Sequence, residues 1–328
     1  MQLTDRDMRL IENWQRGFPL VPHPYSAIGS KVGLSEADVI ERLRKLKMAG
    51  ILVRVGATVR PNAAGASTLA ALRVPSECMD DVVAIINAEP SVTHNYEREH
   101  AFNLWFVVTA ADRGSVDRVL GRIGTQTGLD LLNLPLQRSY FIDLGFAVNG
   151  QASQPARRPE VAGAKPALPR ASEADRRLLR AIENGLPLAP MPYRRIAADL
   201  GIGQSAVMHR LASLSESGVI SRFGLIVRHH ELGFTANAMA VWDIADAEVD
   251  AVGERIAAFP FVTLCYRRQR HLPQWPYNLF CMIHGRERAA TQRHVDEIAQ
   301  GARIATRPHA VLFSSRRFKQ RGATFAQA

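Results

Sequence analysis

The sequence predicts an α+β fold in which one unit of helices and strands is built twice. The first observation is a repeat, because residues 7–65 match residues 175–233 at a constant offset of 168 without a gap. The second is a shared order of elements, with helices first and alternating strands and helices after them. Between the halves, residues 149–170 are rich in Pro, Ala, Gly, Gln and Arg. That composition is typical of a flexible linker.

The composition is that of a folded protein with a basic surface. Of the 328 residues, 47% are hydrophobic and 22% are charged, which excludes a mainly disordered chain. The formal net charge is +10, and 36 of the 41 basic residues are Arg. Arg binds carboxylate and phosphate oxygens in pairs, so an anionic partner is indicated. Codon usage in a GC-rich genome would give the same excess of Arg.

Cysteine usage and hydropathy predict a cytoplasmic protein without a membrane partner. The three cysteines, Cys78, Cys265 and Cys281, form no CxxC pair, which argues against a zinc ribbon or a disulfide scaffold. Cys265 and Cys281 sit at alternating apolar positions and are predicted to be small core residues. No apolar run reaches the roughly 18 residues of a membrane span, and the start of the sequence lacks a secretory signal.

The first part of each half, residues 1–62 and 171–230, predicts a winged helix-turn-helix domain. Helices are expected at 5–14, 25–32 and 36–48, with Thr4 and Ser35 as N-caps. Residues 51–55 and 58–60 are expected to form a small β-wing. This order of helices and wing is the winged helix-turn-helix plan. His229 and His230 follow the second wing and are expected at the surface.

The remainder of each half, residues 63–148 and 231–328, predicts a ferredoxin-like βαββαβ domain. In the first half the expected elements are a strand at 67–74, a helix at 79–87, a hairpin of 92–100 and 103–109, a helix at 115–127 and a strand at 134–144. The second half repeats this order. Its hairpin is five residues longer, because the offset between the halves changes from 170 at Pro90 to 175 at Asn103.

The first strand of each hairpin carries an unusual set of charged residues. Strand alternation predicts that one face holds Val92, His94, Tyr96, Arg98 and His100, and that the matching face holds Val262, Leu264, Tyr266, Arg268 and Arg270. Several ionisable groups on one face are difficult to explain as packed core, because each buried charge needs a partner. This face is therefore a candidate binding site. Arg270 takes the place of His100, and His271 has the opposite strand parity.

A winged helix-turn-helix followed by a ferredoxin-like domain resembles the Lrp/AsnC regulators, with Leu34-Ser35, Arg42-Leu43 and Gly50-Ile51 where that family has its recognition helix and wing. The hairpins depart from that family. Together with the Pro-Leu and Pro-Tyr pairs near the start of each half, and with Arg316-Arg317-Phe318-Lys319, they resemble the siroheme decarboxylases, which are Lrp-like proteins. The segments that carry this resemblance are residues 94–106, 265–271 and 275–280. Two different halves in one chain resemble the fused form of denitrifiers.

The resemblance implies a carbon–carbon lyase that removes CO2 from the C12 and C18 acetate groups of siroheme. The product would be 12,18-didecarboxysiroheme, in heme d1 biosynthesis. No cofactor is implied beyond the iron tetrapyrrole substrate, which can take up the electrons itself. Phe102, Trp105, Phe106, Trp275, Tyr277 and Phe280 would supply an apolar slot. The residues expected to bind the substrate are Tyr96, Arg98, Asn103, Trp105, Tyr266, Arg267, Arg268, Arg270, Trp275, Asn278 and Lys319.

His100 and His271 are the candidate proton donors, because a His can supply a proton near neutral pH and each adjoins the Arg cluster. No metal site made by the protein alone is expected. Either His could instead be a ligand of the substrate iron, and the sequence leaves these roles open. We expect the first half to donate His100 to a pocket shared with the second half.

The alternative function is an Lrp/AsnC-type DNA-binding transcriptional regulator, favoured by the helix-turn-helix and the positive charge. The first recognition helix argues against it, because Glu36, Asp38 and Glu41 would repel phosphates. No specific DNA is therefore expected, and the helix-turn-helix is interpreted as a scaffold. The two halves are expected to pair within the chain as a pseudo-dimer. A further homodimer, or association with homologous decarboxylase subunits, is left open.

Overall fold

The computed structural model describes residues 3–143, 145, 170–320 and 322, which form two compact units. Among these residues, the first unit contains 3–64, 145 and 170–232, and the second contains 65–143, 233–320 and 322. Each unit thus combines the matching parts of both halves. The predicted linker at 149–170 lies outside the described residues except for Arg170.

Each half contributes five helices and five strands to the described part of the chain. The first half comprises α1 (Asp5–Trp14), α2 (Pro24–Val32), α3 (Glu36–Met48), β1 (Leu52–Val59), β2 (Ala66–Leu72), α4 (Met79–Ala88), β3 (Val92–Arg98), β4 (Leu104–Ala110), α5 (Arg113–Thr127) and β5 (Leu131–Ile142). The second comprises α6 (Glu173–Ala181), α7 (Pro192–Leu200), α8 (Gln204–Glu216), β6 (Ile220–Val227), β7 (Ala236–Trp242), α9 (Val249–Ala257), β8 (Val262–Arg268), β9 (Leu279–Gly285), α10 (Arg288–Gly301) and β10 (His309–Gln320). None of the described helices is long and apolar enough to cross a membrane.

The helix starts of the first unit follow from local capping. The hydroxyl groups of Thr4 and Ser35 accept hydrogen bonds from the backbone N–H groups of Asp7 and Asp38, whose carboxylates bond back to the caps. These reciprocal capping boxes satisfy donors that a helix start leaves unpaired. The predicted N-caps are confirmed. The first turn of α3 therefore carries the fixed negative charges that the sequence indicated.

The predicted β-wing is wrong. Each wing segment forms one continuous strand, and β1 pairs antiparallel with β6 of the other half, with Gly56 opposite Gly224. A side chain at Gly224 would overlap the carbonyl groups of Trp14 and Gln15, so the end of α1 can pack directly on this ladder. Pairing across the halves satisfies the backbone groups along one edge of each strand.

His229 corrects another expectation. It is buried rather than at the surface, because the chain turns inward after β6 through a short 3-10 helix, His229–Leu232. His230 is exposed as expected.

In the second unit the two βαββαβ domains join into a closed barrel of eight strands, in the order β10-β3-β4-β2-β5-β8-β9-β7. The last strand of each half joins both sheets: β5 pairs with β2 up to Pro135 and with β8 from Leu136, whereas β10 pairs with β7 up to Phe313 and with β3 from Ser314. The α+β fold class and the pairing of the two halves are thus confirmed.

Three apolar cores stabilise this unit. Two of them lie between the sheets and helices, one for each half, and Cys265 and Cys281 belong to the core of the second half as predicted. The third is made by the opposite faces of the strands, inside the barrel. Its largest members are the aromatic residues Phe102, Trp105, Tyr266, Trp275 and Phe280. The inner core and the residues packed against it therefore include five of the six residues from which the sequence predicted a slot, all except Phe106.

Candidate functional site

A bulge in each hairpin determines which residues face the barrel interior. The pairing of β3 with β4 shifts between Val92 and His94, and that of β8 with β9 shifts between Val262 and Leu264. The two valines belong to the outer cores. The simple alternation predicted from residue 92 is thus wrong at its first position, because a bulge inserts one extra residue. The strand also ends at Arg98, so His100 lies in the following turn.

Two buried guanidinium groups lie at equivalent positions in the two halves. Arg98 donates from Nη1 to the carbonyl oxygen of Leu312, 3.1 Å away, and Arg268 donates from Nη1 to that of Leu134, 2.6 Å away. Each thus reaches the last strand of the other half. Within the described ranges, neither has a carboxylate within salt-bridge distance, and the Nε atom of each is buried without a hydrogen-bond partner. A buried cation without a counter-ion is costly, so these groups are suited to an anionic ligand.

Aromatic rings lie beside these cations. The Cζ atom of Arg98 lies 5.7 Å from the ring centre of Tyr96, and that of Arg268 lies 4.6 Å from the ring centre of Tyr266. Such contacts compensate part of the charge. Burial lowers the pKa of both Arg side chains and raises that of Tyr96. Because Arg starts from a very high pKa, both guanidinium groups remain charged at neutral pH.

Arg267 and Arg270 differ from this pair because carboxylates already neutralise them. Arg267 donates to Asp246 at 3.0 Å, and Arg270 bonds to Asp243 and Asp246, each at 2.7 Å. Arg270 also donates to the backbone carbonyl of Ile244. The four Arg residues predicted to bind the substrate are therefore divided into two buried cations without counter-ions, Arg98 and Arg268, and two partly exposed ion pairs, those of Arg267 and Arg270.

Trp275 is the centre of the aromatic cluster inside the barrel. Its ring lies 5.0 Å from that of Trp105, 5.0 Å from that of Tyr277 and 6.1 Å from that of Phe102. Its Nε1 atom is buried without a hydrogen-bond partner, whereas that of Trp105 donates to the carbonyl oxygen of Phe102. A loop of the second half thus packs on aromatic residues of the first.

Phe106 does not belong to this cluster. It packs in the outer core under the helices of the first half. Successive residues on a strand face opposite sides, so Trp105 and Phe106 cannot both line the interior. The expectation that Phe106 helps to form the slot is therefore wrong.

His100 lies against this cluster from the turn after β3. Its ring centre is 5.4 Å from that of Trp275 and 6.5 Å from that of Phe102. The Nδ1 atom accepts a hydrogen bond from the Phe102 backbone N–H at 3.0 Å, which places the proton of the neutral ring on Nε2. Burial, and then the charge of Arg73, hold the pKa of His100 below its ordinary value. The free protein therefore has a neutral His100 near pH 7.

His271 lies in a different environment. It is exposed and lies in a tight turn that two backbone hydrogen bonds with Trp275 close. The N–H of His271 donates to the carbonyl oxygen of Trp275 at 2.9 Å, and the N–H of Trp275 donates to that of His271 at 2.7 Å. The structure thus brings His100, but not the side chain of His271, against the aromatic cluster. The catalytic roles of both residues remain predictions.

Asn103 and Asn278 hold the backbone at the ends of β2 and β7. Asn103 accepts from the N–H of Val74 at 2.9 Å and donates to its carbonyl at 2.8 Å. Asn278 makes the same two bonds to Ile244, at 3.0 and 2.8 Å. Both amides thus position the neighbouring backbone, and their predicted contact with a substrate remains a prediction.

Lys319 is held by helix α4. Its Nζ atom donates to the carbonyl oxygens of Asn87 and Glu89, at 2.7 and 3.0 Å. A cation at this place satisfies carbonyl groups that the end of a helix leaves unpaired. The structure gives Lys319 a local role at the helix end, and its predicted contact with substrate remains a prediction.

The described residues contain no group of three or more His, Cys, Asp or Glu side chains arranged to hold a metal ion. Among the described residues, no hydrogen bond to the Nε2 atom of His100 is defined. His100 remains the candidate for either a proton donor or a ligand of a substrate iron.

Comparison with known proteins assigns the same two domain types to each half of the chain. Residues 7–52 and 175–220 match the profile of a siroheme decarboxylase NirDL-like HTH domain, and residues 64–140 and 231–319 match that of an AsnC-like ligand binding domain. A siroheme decarboxylase NirDL subunit from Paracoccus denitrificans is 43% identical over 100% of this chain and 99% of its own length. The chain belongs to the siroheme decarboxylase family. A member from Hydrogenobacter thermophilus is 29% identical over 96% of this chain and 92% of its own length.

Solved structures of the family share this architecture. The crystal structure of the siroheme decarboxylase NirDL matches with a TM-score of 0.68 and 26% identity, over 99% of this chain and 95% of that chain. A second NirDL crystal structure, in complex with an iron-uroporphyrin III analogue, matches with a TM-score of 0.67 and 27% identity, over 98% of this chain and 93% of that chain. Other relatives are single-half chains, such as a NirD subunit of Pseudomonas aeruginosa, 49% identical over 44% of this chain and 96% of its own length.

Sequence reasoning missed Arg73, which lies beside His100. Its Cζ atom is 5.1 Å from the ring centre of Phe102, and its charge contributes to the lowered pKa of His100. A signal was present in the repeat. When the two halves are aligned at the offset of 170 that matches Arg98 with Arg268, Arg73 aligns with Asp243. A charge reversal at matching positions indicates a place where the two halves have different tasks.

Proposed function

We propose that this chain removes CO2 from the C12 and C18 acetate groups of siroheme, in heme d1 biosynthesis. The observation that carries the proposal is the pair of buried guanidinium groups, Arg98 and Arg268, which face an aromatic interior without carboxylate partners among the described residues. A tetrapyrrole with eight carboxylates supplies the missing anions, and its macrocycle is suited to aromatic side chains such as those of the inner core. The family membership supports the same substrate class.

In the mechanism that we propose, the substrate binds with its macrocycle against the cluster around Trp275 and its carboxylates toward the buried cations. The hydrogen bond that His100 accepts from Phe102 and its contact with the ring of Trp275 support His100 as the proton donor. The bond between the carboxylate carbon and the methylene carbon breaks, CO2 leaves, and the electron pair remains on the methylene carbon. The imidazolium form of His100 then gives its Nε2 proton to that carbon, which completes a methyl group and leaves the neutral ring.

The decisive experiment is anaerobic incubation of the purified chain with siroheme, followed by mass spectrometry of the pigment. We expect the loss of two CO2 units for each siroheme. Loss of one CO2 would indicate that a homologous subunit is required for the second step. Unchanged siroheme that does not bind, together with a salt-dependent shift of a defined DNA operator, would contradict the proposal in favour of a regulator.

Several finer features of this proposal stay predictions from the sequence. They are a cytoplasmic location, the absence of a cofactor other than the substrate, the absence of specific DNA binding, and a further homodimer. Size-exclusion chromatography with light scattering would test the homodimer directly, since a monomer has a mass of 36.2 kDa.

A further inference from the structure

The two halves carry opposite charges at one matching position. Arg73 directly follows β2, and Asp243 directly follows β7. The amides of Asn103 and Asn278 bind the backbone of the next residue in each half, through the same pair of hydrogen bonds. The backbone framework is therefore equivalent, and only the charge that it presents differs.

In the second half this position is neutralised within the chain. Asp243 accepts from Arg270 at 2.7 Å, and Asp246 binds the same guanidinium group, also at 2.7 Å. Arg270 further donates to the carbonyl oxygens of Pro276 and Ile244. The loop that carries Trp275 is thus tied to the end of β7 by bonds that leave little capacity for another anion.

In the first half no such ion pair forms. The position that matches Arg270 is His100, which is not an acid. The Arg73 guanidinium lies over the ring of Phe102, and it has no carboxylate within ion-pair distance in the described ranges of the chain. Phe102 in turn donates its backbone N–H to His100. An exposed cation is thus held beside the candidate proton donor.

We propose that Arg73 binds a propionate carboxylate of the tetrapyrrole, on the same pyrrole ring as the acetate whose methylene carbon receives the proton of His100. This inference rests on the proposed function. Each acetate-bearing pyrrole ring of such a substrate carries a propionate on the neighbouring carbon, so an anchor on the propionate brings the acetate beside His100. A cation on the acetate itself would oppose reaction, because it would hold the negative charge that must leave the carboxylate.

The test compares Arg73→Gln and Arg73→Lys with the control Arg293→Gln, which removes an exposed Arg from the outer helix α10. Binding is measured by absorbance titration with iron uroporphyrin III, which has eight carboxylates, and with iron coproporphyrin III, which keeps the propionates but has methyl groups in place of the acetates. We expect Arg73→Gln to weaken both by about tenfold, as for one lost charge-assisted contact. Arg73→Lys should regain most of the affinity, and Arg293→Gln should match the unmodified chain.

Turnover of siroheme supplies the second readout. We expect Arg73→Gln to raise KM by about tenfold while kcat changes much less, since the anchor acts on binding. If Arg73→Gln weakens binding of iron uroporphyrin III but not of iron coproporphyrin III, Arg73 binds an acetate and the inference is overturned. Equal affinities of Arg73→Gln and Arg293→Gln for both porphyrins would overturn it as well. If the unmodified chain neither binds the iron porphyrins nor turns over siroheme, the proposed function itself fails. Turnover of siroheme by the unmodified chain therefore distinguishes failure of the Arg73 inference from failure of the proposed function.

Discussion

At the scale of single residues, His100 has the surroundings of a proton donor and His271 does not. His100 lies against Trp275, and its Nδ1 atom is fixed by the Phe102 backbone, whereas His271 is exposed. We expect His100→Ala to lower kcat by about 10²–10⁴-fold, which is the usual contribution of a general acid. His271→Ala should lower it far less. Single-turnover mass spectrometry measures both.

A matched control for His100 is His100→Phe, which keeps an aromatic ring against Trp275 but cannot donate a proton. If His100→Phe retains the activity of the unmodified chain, the residue acts through packing, and the proposed acid must be sought elsewhere.

The pH dependence follows from the direction of the pKa shift. Burial and Arg73 disfavour the charged imidazolium, so the pKa of His100 lies below the ordinary 6.5. The protonated fraction of the free protein falls as the pH rises through that value. We therefore expect kcat/KM to decrease with rising pH across the neutral range, and Arg73→Gln should move this decrease to higher pH. A flat profile for the unmodified chain would contradict an imidazolium donor.

The buried Arg98 should reduce the stability of the free protein while it increases affinity for an anion. Because no described carboxylate compensates its charge, we expect Arg98→Met to stabilise the free chain by roughly 1–2 kcal/mol. The same variant should bind iron uroporphyrin at least tenfold more weakly. Thermal unfolding with and without the ligand measures both effects.

Arg270→Met is the contrasting variant. It removes a guanidinium that Asp243 and Asp246 already bind, so we expect it to destabilise the chain by about 1 kcal/mol, as for a partly exposed ion pair. If Arg98→Met and Arg270→Met change the free energy of unfolding in the same direction, the presence of carboxylate partners does not explain the difference expected between these two Arg residues.

At the scale of elements, the ladder between β1 and β6 depends on a glycine. A Cβ at Gly224 would overlap backbone carbonyls at the end of α1. We expect Gly224→Ala to destabilise the first unit by about 1–3 kcal/mol, because the backbone must move. The control is Gly121→Ala in α5, where the structure leaves open space and a helix gains up to about 1 kcal/mol from Ala. Equal effects of the two substitutions in chemical denaturation would contradict this close approach.

The sequence predicts these elements better than it predicts their partners. The caps at Thr4 and Ser35 and the βαββαβ order depend on local patterns, and the structure confirms them. The bulge after Val92 and the pairing of β1 with β6 depend on contacts between separate strands. The periodicity of a single sequence does not specify which residues of two strands pair with each other.

Prediction of the site had the same limit. Tyr96, Arg98, Tyr266 and Arg268 were predicted because several ionisable residues on one strand face are unusual, and their contacts with a substrate remain predictions. The sequence could not show that Arg267 and Arg270 are neutralised by Asp243 and Asp246, because those carboxylates come from the loop after β7. It also could not show that the amides of Asn103 and Asn278 bind the backbone of Val74 and Ile244.

At the scale of the whole molecule, the second unit needs strands from both halves. Since β5 and β10 each pair with strands of both halves, we expect that co-expressed chains 1–155 and 156–328 copurify in equal amounts. Either chain alone should aggregate or self-associate, because its strand edges and inner apolar face would be open to solvent. Two chains that purify separately as monomers would contradict this dependence.

The exchange of final strands between halves also bears on stoichiometry. If two unlike subunits were made as separate chains, their random association would also produce barrels with two copies of His100 and barrels with two copies of the Arg270 ion pair. A single polypeptide makes each barrel with one of each, whatever the expression level. Covalent linkage thus frees the two halves to diverge at matching positions such as Arg73 and Asp243, since neither half has to be compatible with a copy of itself.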